Sequence, residues 1–385
     1  MIDIYSFVEE LLSCSTTIEK INIYKKWNID NCRIYLFDEN QSNFSTREAN
    51  VKIGNFELLG LGDYQRTWII DKNTSKNSEN HLLVGKIVHY DLNILTYINN
   101  IFRDRKVKQH TEFIEFLKLI KLRKFANSIS TALMERFATP VNNKILGETI
   151  ESFVFFDVTQ IEIFLGSIKP ILTTEQYTWM KKIWEAANSY INGVEYRQYN
   201  AICCYVMKAF ILKNSTISIK EKIVKFMDYC LNTLYIYLEN EFILLILYLK
   251  NDEATKKTFE KLQIAAKKIE DKIYNTAWDI FQVRLLEQSI VAENENLDKV
   301  YLPYLATADK GLQNILKINP VKMFVQYNNM VLAIREIRVE SIISELELAQ
   351  VKSDSLTRSN KVSEVDFKYE KEKLQAEITE LVDNN

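Results

Sequence analysis

Glycine and proline together supply only 12 of the 385 residues, about 3% where an average chain carries about 12%. Hairpin turns, sheet corners and bulges draw on these two residues. A sandwich or barrel of many short strands is therefore excluded, and helices must dominate. The same scarcity removes Gly-rich phosphate loops. Neither G-x-x-x-x-G-K-[ST] nor G-x-G-x-x-G occurs, and Gly85-Lys86 lacks both the earlier glycine and the following Ser or Thr. No G-x-S-x-G elbow is present. A hydrophobic content of 47% can fill a core, and the length suits roughly two to three folded units.

Three histidines, His81, His89 and His110, leave little room for a His-rich metal centre. Five cysteines contain no C-x-x-C, and only Cys203 and Cys204 are close in sequence. That fits neither a structural zinc site nor a disulfide framework, and it points to a reducing compartment. The chain opens Met1-Ile2-Asp3 without a basic leader. Its longest wholly apolar stretch, Phe242 to Leu249, falls far short of the ~20 residues that span a bilayer. A soluble, cytoplasmic protein with no membrane partner is expected. A net charge of −2 gives no global attraction to nucleic acid, so any such binding needs a local patch.

Ile34 to Phe37, Val51 to Ile53, Phe56 to Leu59 and Trp68 to Ile70 are short β-type runs divided by the polar segments Asp38 to Asn50 and Asp71 to Asn80. They predict a β-rich lobe over 1–84. Leu82 to Val88 has buried-strand length and stops at Tyr90-Asp91, after which Leu92 to Phe102 reads as a helix. Residues 141–270 read as helical, with their Tyr and Trp packing between helices. Ser218-Ile219-Lys220-Glu221 has capping-box form before the apolar run Ile223 to Leu249, and Thr173 to Gln176 suits the start of the Trp179/Trp184 helix. Residues 326–385 are charge-rich. They predict a helical arm made of a long helix, a joint near Lys352 to Ser363, and a short amphipathic helix bearing Leu374, Ile378 and Leu381. The fold class expected is α/β with helices predominating.

Four carboxylates stand in unusual contexts. Asp91 ends an apolar strand-like run. Glu135 lies in the apolar stretch Ile129 to Met134, Asp279 follows Ala277-Trp278 at an apparent helix start, and Asp309 closes the apolar run Tyr301 to Ala308. Residues just past the carboxyl ends of parallel strands converge in one crevice. Carboxylates gathered there repel one another unless a divalent cation is bound, and oxygen-only ligation suits Mg²⁺ or Mn²⁺. Each acid also has an ordinary reading: Thr276-x-x-Asp279 fits a helix cap, Asp91 and Asp309 fit strand ends, and Glu135 fits an ion pair. Asp157, Glu162, Glu239 and Glu241 read as surface or capping carboxylates.

The ordered pieces Asp91-Leu92-Asn93, Leu133-Met134-Glu135, Trp278-Asp279 and Thr307-Ala308-Asp309-Lys310 resemble the PIN-domain nuclease pattern. The resemblance covers about 85–139 and 270–320. It implies a Rossmann-like α/β/α core in two parts, 85–140 and 271–325, with 141–270 as a helical insertion. It also implies Mg²⁺ or Mn²⁺ held by Asp91, Glu135, Asp279 and Asp309, with Asn93 and Thr307 in support, and an endonuclease cutting single-stranded RNA or, alternatively, DNA. The 144 residues between Glu135 and Asp279 exceed what a compact member of that family holds, and Pro303 sits badly in a central strand. Since free nuclease activity harms a cell, a regulated toxin-like or antiviral role is the matching expectation.

Residues 103–124 carry eight basic and three acidic side chains. Arg103, Arg105, Lys106, Lys121, Arg123 and Lys124 are the candidate nucleic-acid contacts, since phosphate contacts give affinity without sequence choice. A regulatory protein partner, or self-association through 326–385, is the remaining partner expectation. The alternative function is a non-catalytic helical scaffold, or a PIN-like protein that binds nucleic acid without cutting it.

Overall fold

The computed structural model describes residues 3–37, 50–76, 83–138, 143–166, 171–189, 194–293, 299–328, 330–352, 358 and 360–384. Most of the polar segment 38–50 and His81 lie outside them. In chain order the elements are α1 (Ile4–Ser13), α2 (Thr17–Trp27), β1 (Cys32–Leu36), β2 (Val51–Ile53), β3 (Phe56–Gly60), β4 (Trp68–Ile70), α3 (Lys72–Lys76) and β5 (Leu83–Tyr90). Then come α4 (Leu92–Phe102), α5 (His110–Leu122), β6 (Ala126–Ser128), α6 (Ser130–Ala138), α7 (Asn143–Val158), α8 (Ile161–Leu165), α9 (Thr174–Ser189) and α10 (Val194–Lys213). The chain continues through α11 (Ile219–Asp228), α12 (Glu239–Leu249), α13 (Lys256–Phe259), α14 (Ile269–Glu293), β7 (Lys299–Thr307), α15 (Lys310–Ile318), β8 (Val321–Tyr327), β9 (Met330–Arg335), α16 (Glu345–Lys352) and α17 (Phe367–Asp383). The protein is mixed α/β with helices predominating. Among the described residues no helix is long and apolar enough to cross a membrane.

Two compact units share the chain. Unit 1 holds Met1–Ala187, Leu285–Ala308 and Pro320–Glu336; unit 2 holds Asn188–Arg284, Asp309–Asn319 and Ile337–Asn385.

Unit 1 contains both sheets. One runs β4-β1-β8-β9 and is antiparallel throughout. The helices α1 and α2 cover it, with Phe7, Leu11, Tyr24, Ile34 and Val325 in one buried cluster. Thr16 and Glu19 form a capping box that starts α2, and left-handed Asn28 ends it. The second sheet runs β2-β3-β7-β5-β6, with β7, β5 and β6 parallel and β3 antiparallel to β7. Pro303 sits inside β7, against the sequence expectation. Its carbonyl accepts from the Tyr64 hydroxyl at 2.7 Å, so its backbone faces the β3 side. The β3 ladder has already ended there at the Gly60–Tyr304 pair, and no ladder hydrogen bond is lost.

Phe153 to Phe156 lie within α7, in keeping with the helical reading of 141–270. A four-residue apolar run cannot distinguish a strand from a helix buried on several faces, and Ile150, Phe153, Val154 and Phe156 are all buried.

Unit 2 is helical. Residues Ala201 to Phe210 of α10 are almost all buried, so this helix forms the unit's centre. Ser218 and Glu221 make the expected capping box for α11. The apolar run that follows is not one helix, because a π-helical turn at Tyr229–Thr233 and left-handed Tyr235 divide α11 from α12. The C-terminal segment departs from the expected arm. Residues 335–352 hold the end of β9, a 3₁₀ turn and the short α16 rather than a long helix. The stripe of α17, Phe367, Leu374 and Ile378, is buried within unit 2, where Lys371 donates to Asn200 and Gln375 to Glu270.

Candidate functional site at the carboxyl edge of the parallel strands

The parallel strands stand in the order β6-β5-β7, so the chain leaves β5 to one side and returns on the other. The carboxyl ends of β5 and β7 thus form a topological switch point, the place where open α/β sheets present ligands. Asp91 sits there. Its backbone N–H donates to the Ala306 carbonyl at 3.0 Å, extending the ladder past β5, and its side chain caps α4. Oδ1 accepts from the Asn93 amide at 3.3 Å. Oδ2 accepts from the Thr307 hydroxyl at 2.7 Å and from Asn93 Nδ2 at 3.3 Å. Asp91, Asn93 and Thr307, picked out from sequence, therefore meet, and Asp91 and Thr307 are buried.

Around them the edge carries further hydroxyl groups. Ser128 and Ser130 hydroxyls are 2.9 Å apart at the end of β6, and the Thr131 hydroxyl reaches the Tyr90 carbonyl at 3.5 Å. Glu135, half-buried in α6, lies four residues past Thr131 and so shares its helix face. His89, two residues before Asp91, is buried, and neither ring nitrogen has a hydrogen-bond partner among the described residues. Burial pushes its pKa down to about 4, so the ring is neutral near pH 7.

The other two acids belong to unit 2. Asp279 is not at a helix start but ten residues inside α14. The Thr276 hydroxyl donates back to Lys272 rather than capping anything. The Asp279 carboxylate accepts from Lys261 Nζ at 2.7 Å. Asp309 caps α15, its Oδ1 accepting from the Gly311 and Leu312 amides at 2.7 and 3.0 Å. Both carboxylates flank Gly311: a Cβ placed there would lie 3.0 Å from Asp309 Oδ1 and 3.8 Å from Asp279 Oδ2. Asp91 and Glu135 thus fall in one unit, Asp279 and Asp309 in the other. Among the described residues no three His, Cys, Asp or Glu side chains are grouped as a metal site.

The basic residues do not make one stripe beside Asp91. Arg103 caps the opposite end of α4, about 18 Å away at 1.5 Å per residue. It pairs with Glu151 and, at 3.6 Å, with Glu148, while Arg105 meets Glu148 at 3.5 Å. Lys121 donates to the Asp157 carbonyl at 2.8 Å and lies 4.7 Å over the Phe156 ring. Burial lowers its pKa and raises that of Asp157. Lys106 and Lys124 are exposed and Arg123 is half-buried.

Two features escaped the sequence reading. Tyr90, Asn127 and Asp157 form a hydrogen-bonded chain from β5 through β6 to the end of α7. Glu241, read as a surface or capping carboxylate, lies in the first turn of α12 but is buried in a bidentate pair with Arg284 at 2.5 and 2.6 Å. The apolar run Phe242 to Leu249 directly after Glu241 was the one available signal, because its partner lies 43 residues away.

Comparison with protein-family models, curated proteins and solved structures gives no match to this chain.

Proposed function

We propose that this chain is a PIN-like endonuclease acting on single-stranded RNA, with DNA as the other polymer, in the presence of Mg²⁺ or Mn²⁺ and under the control of a partner. The observation that supports this reading is the unbroken run of β5, Asp91 and α4 at the switch point, with the Asp91 carboxylate held by Asn93 and by Thr307 of the neighbouring strand. The choice of polymer comes from the family resemblance alone. Oxygen donors suit a hard metal, but the described residues group no three ligating side chains, and Asp279 already accepts from a lysine. The described residues do not fit a complete metal centre.

The second reading, a non-catalytic helical scaffold, draws on unit 2, where α10 is buried along most of its length. Thermal melting in Mn²⁺ or Mg²⁺ separates the two. A cation bound at Asp91 should stabilise the intact chain, by about 2.7 kcal/mol at a hundredfold excess over the dissociation constant. The Asp91→Asn variant should show no such gain. Equal melting of both proteins with and without metal supports the scaffold.

A further inference from the structure

The far end of α4 carries a different site. In unit 1 a groove of about 610 Å³ opens beside Arg103 and Arg105, within the usual range of about 300–1,000 Å³ for small-ligand pockets. Its floor is aromatic, with the Phe102 and Phe155 ring centroids 4.8 Å apart. One wall is Tyr177, half exposed on α9. Ile171, 91% exposed, adds apolar surface facing water in the same groove, while Phe102 and Phe155 are largely buried beneath it.

Charge decides the class of ligand. Two guanidinium groups, Arg103 and Arg105, stand with three carboxylates, Asp104, Glu148 and Glu151. The local sum is −1, which gives a phosphate no net attraction. What the rim offers is a carboxylate acceptor beside a guanidinium donor, above an aromatic floor. An uncharged heteroaromatic ring with donors on one edge and acceptors on the next meets all three demands. Guanine has that layout: its N–H groups suit a carboxylate, and O6 and N7 suit a guanidinium fork. Arg105 is over half exposed and touches Glu148 only at 3.5 Å, so donors of its five N–H groups remain for a ligand.

We propose that this groove binds a nucleobase, guanine in preference to the others, with Glu151 accepting from the ring N–H groups, Arg105 donating to O6 and N7, and the ring packed against Phe155 and Tyr177. The site is about one α4 length from Asp91 and stands whether or not the chain cuts nucleic acid.

Calorimetric titration of the full chain with guanosine, adenosine, uridine and guanosine monophosphate tests the assignment. Saturable guanosine binding is expected, about tenfold or more tighter than for the other nucleosides, and the monophosphate should bind no tighter than guanosine. Glu151→Gln and Arg105→Ala should each weaken guanosine about tenfold. Tyr177→Ala, which touches no ion pair, should weaken it as well, with the melting of all three variants unchanged. Absence of guanosine binding at about 1 mM, a floor set by pocket-sized ligands of ordinary efficiency, overturns the proposal. So does equal affinity for all nucleosides, markedly tighter binding of the monophosphate, or binding indifferent to the three substitutions.

Discussion

Replacing Glu241 by Ala should destabilise unit 2 by about 3–5 kcal/mol, the range for removing one partner of a buried ion pair. Glu241 is 1% exposed, and both of its oxygens are engaged by Arg284 at 2.5 and 2.6 Å. Truncation leaves the Arg284 guanidinium among apolar helices with no carboxylate to balance it. Hydrogen exchange in α10 and α12 reads the effect locally, without assuming that the two units unfold together. The double substitution Glu241→Leu with Arg284→Met should recover most of the loss, since apolar groups of similar volume often replace such pairs at little cost. Equal exchange rates in the intact protein and Glu241→Ala would show that the pair carries no weight.

Acid should weaken unit 1 through His89. Its native pKa is about 4, because burial disfavours the imidazolium, against about 6.5 in an unfolded chain. Between these values the unfolded state binds the proton and the native state does not. Stability therefore falls as pH drops from about 6.5, reaching a loss of about 3 kcal/mol near pH 4. Asp157, raised by burial, works in the opposite sense, with the native state holding its proton at higher pH than the unfolded chain. Comparing urea unfolding of the intact protein and His89→Leu at pH 7 and pH 4.5 cancels that contribution. The variant should lose less stability on acidification, and identical losses would remove His89 from the account.

Local signals in the sequence were legible where they sat within a few residues of their effect. The capping residues Thr173 and Ser218, the runs at β1 to β5, and the helix Leu92 to Phe102 lie where the pattern puts them. Helices α1 and α2 went unread behind the polar residues around them, although Ile4, Phe7, Val8 and Leu11 have helical spacing. Asp279 resembled a helix start because Thr276 mimics a cap, while the turns before it look polar. Pairing across distance was not legible at all: β1 finds β8 nearly 300 residues on, and Glu241 finds Arg284. At the candidate site the same division holds. The strand-acid-helix order is local and places Asp91 with Asn93, whereas Thr307, 216 residues on, was named only through the family resemblance. A grouping of four acids is a long-range property that spacing alone does not fix.

Cleavage of labelled single-stranded RNA and DNA in Mn²⁺ is the most direct test of Asp91 as the working residue, with intact protein set beside Asp91→Asn and Thr307→Val. Asp91→Asn keeps an acceptor for the Thr307 hydroxyl, and so separates charge from local structure. The account predicts metal-dependent cutting, of RNA before DNA, lost in Asp91→Asn and reduced in Thr307→Val. Cutting that persists undiminished in Asp91→Asn, or no cutting and no metal response in any of the three proteins, contradicts it and leaves Asp91 as the cap of α4.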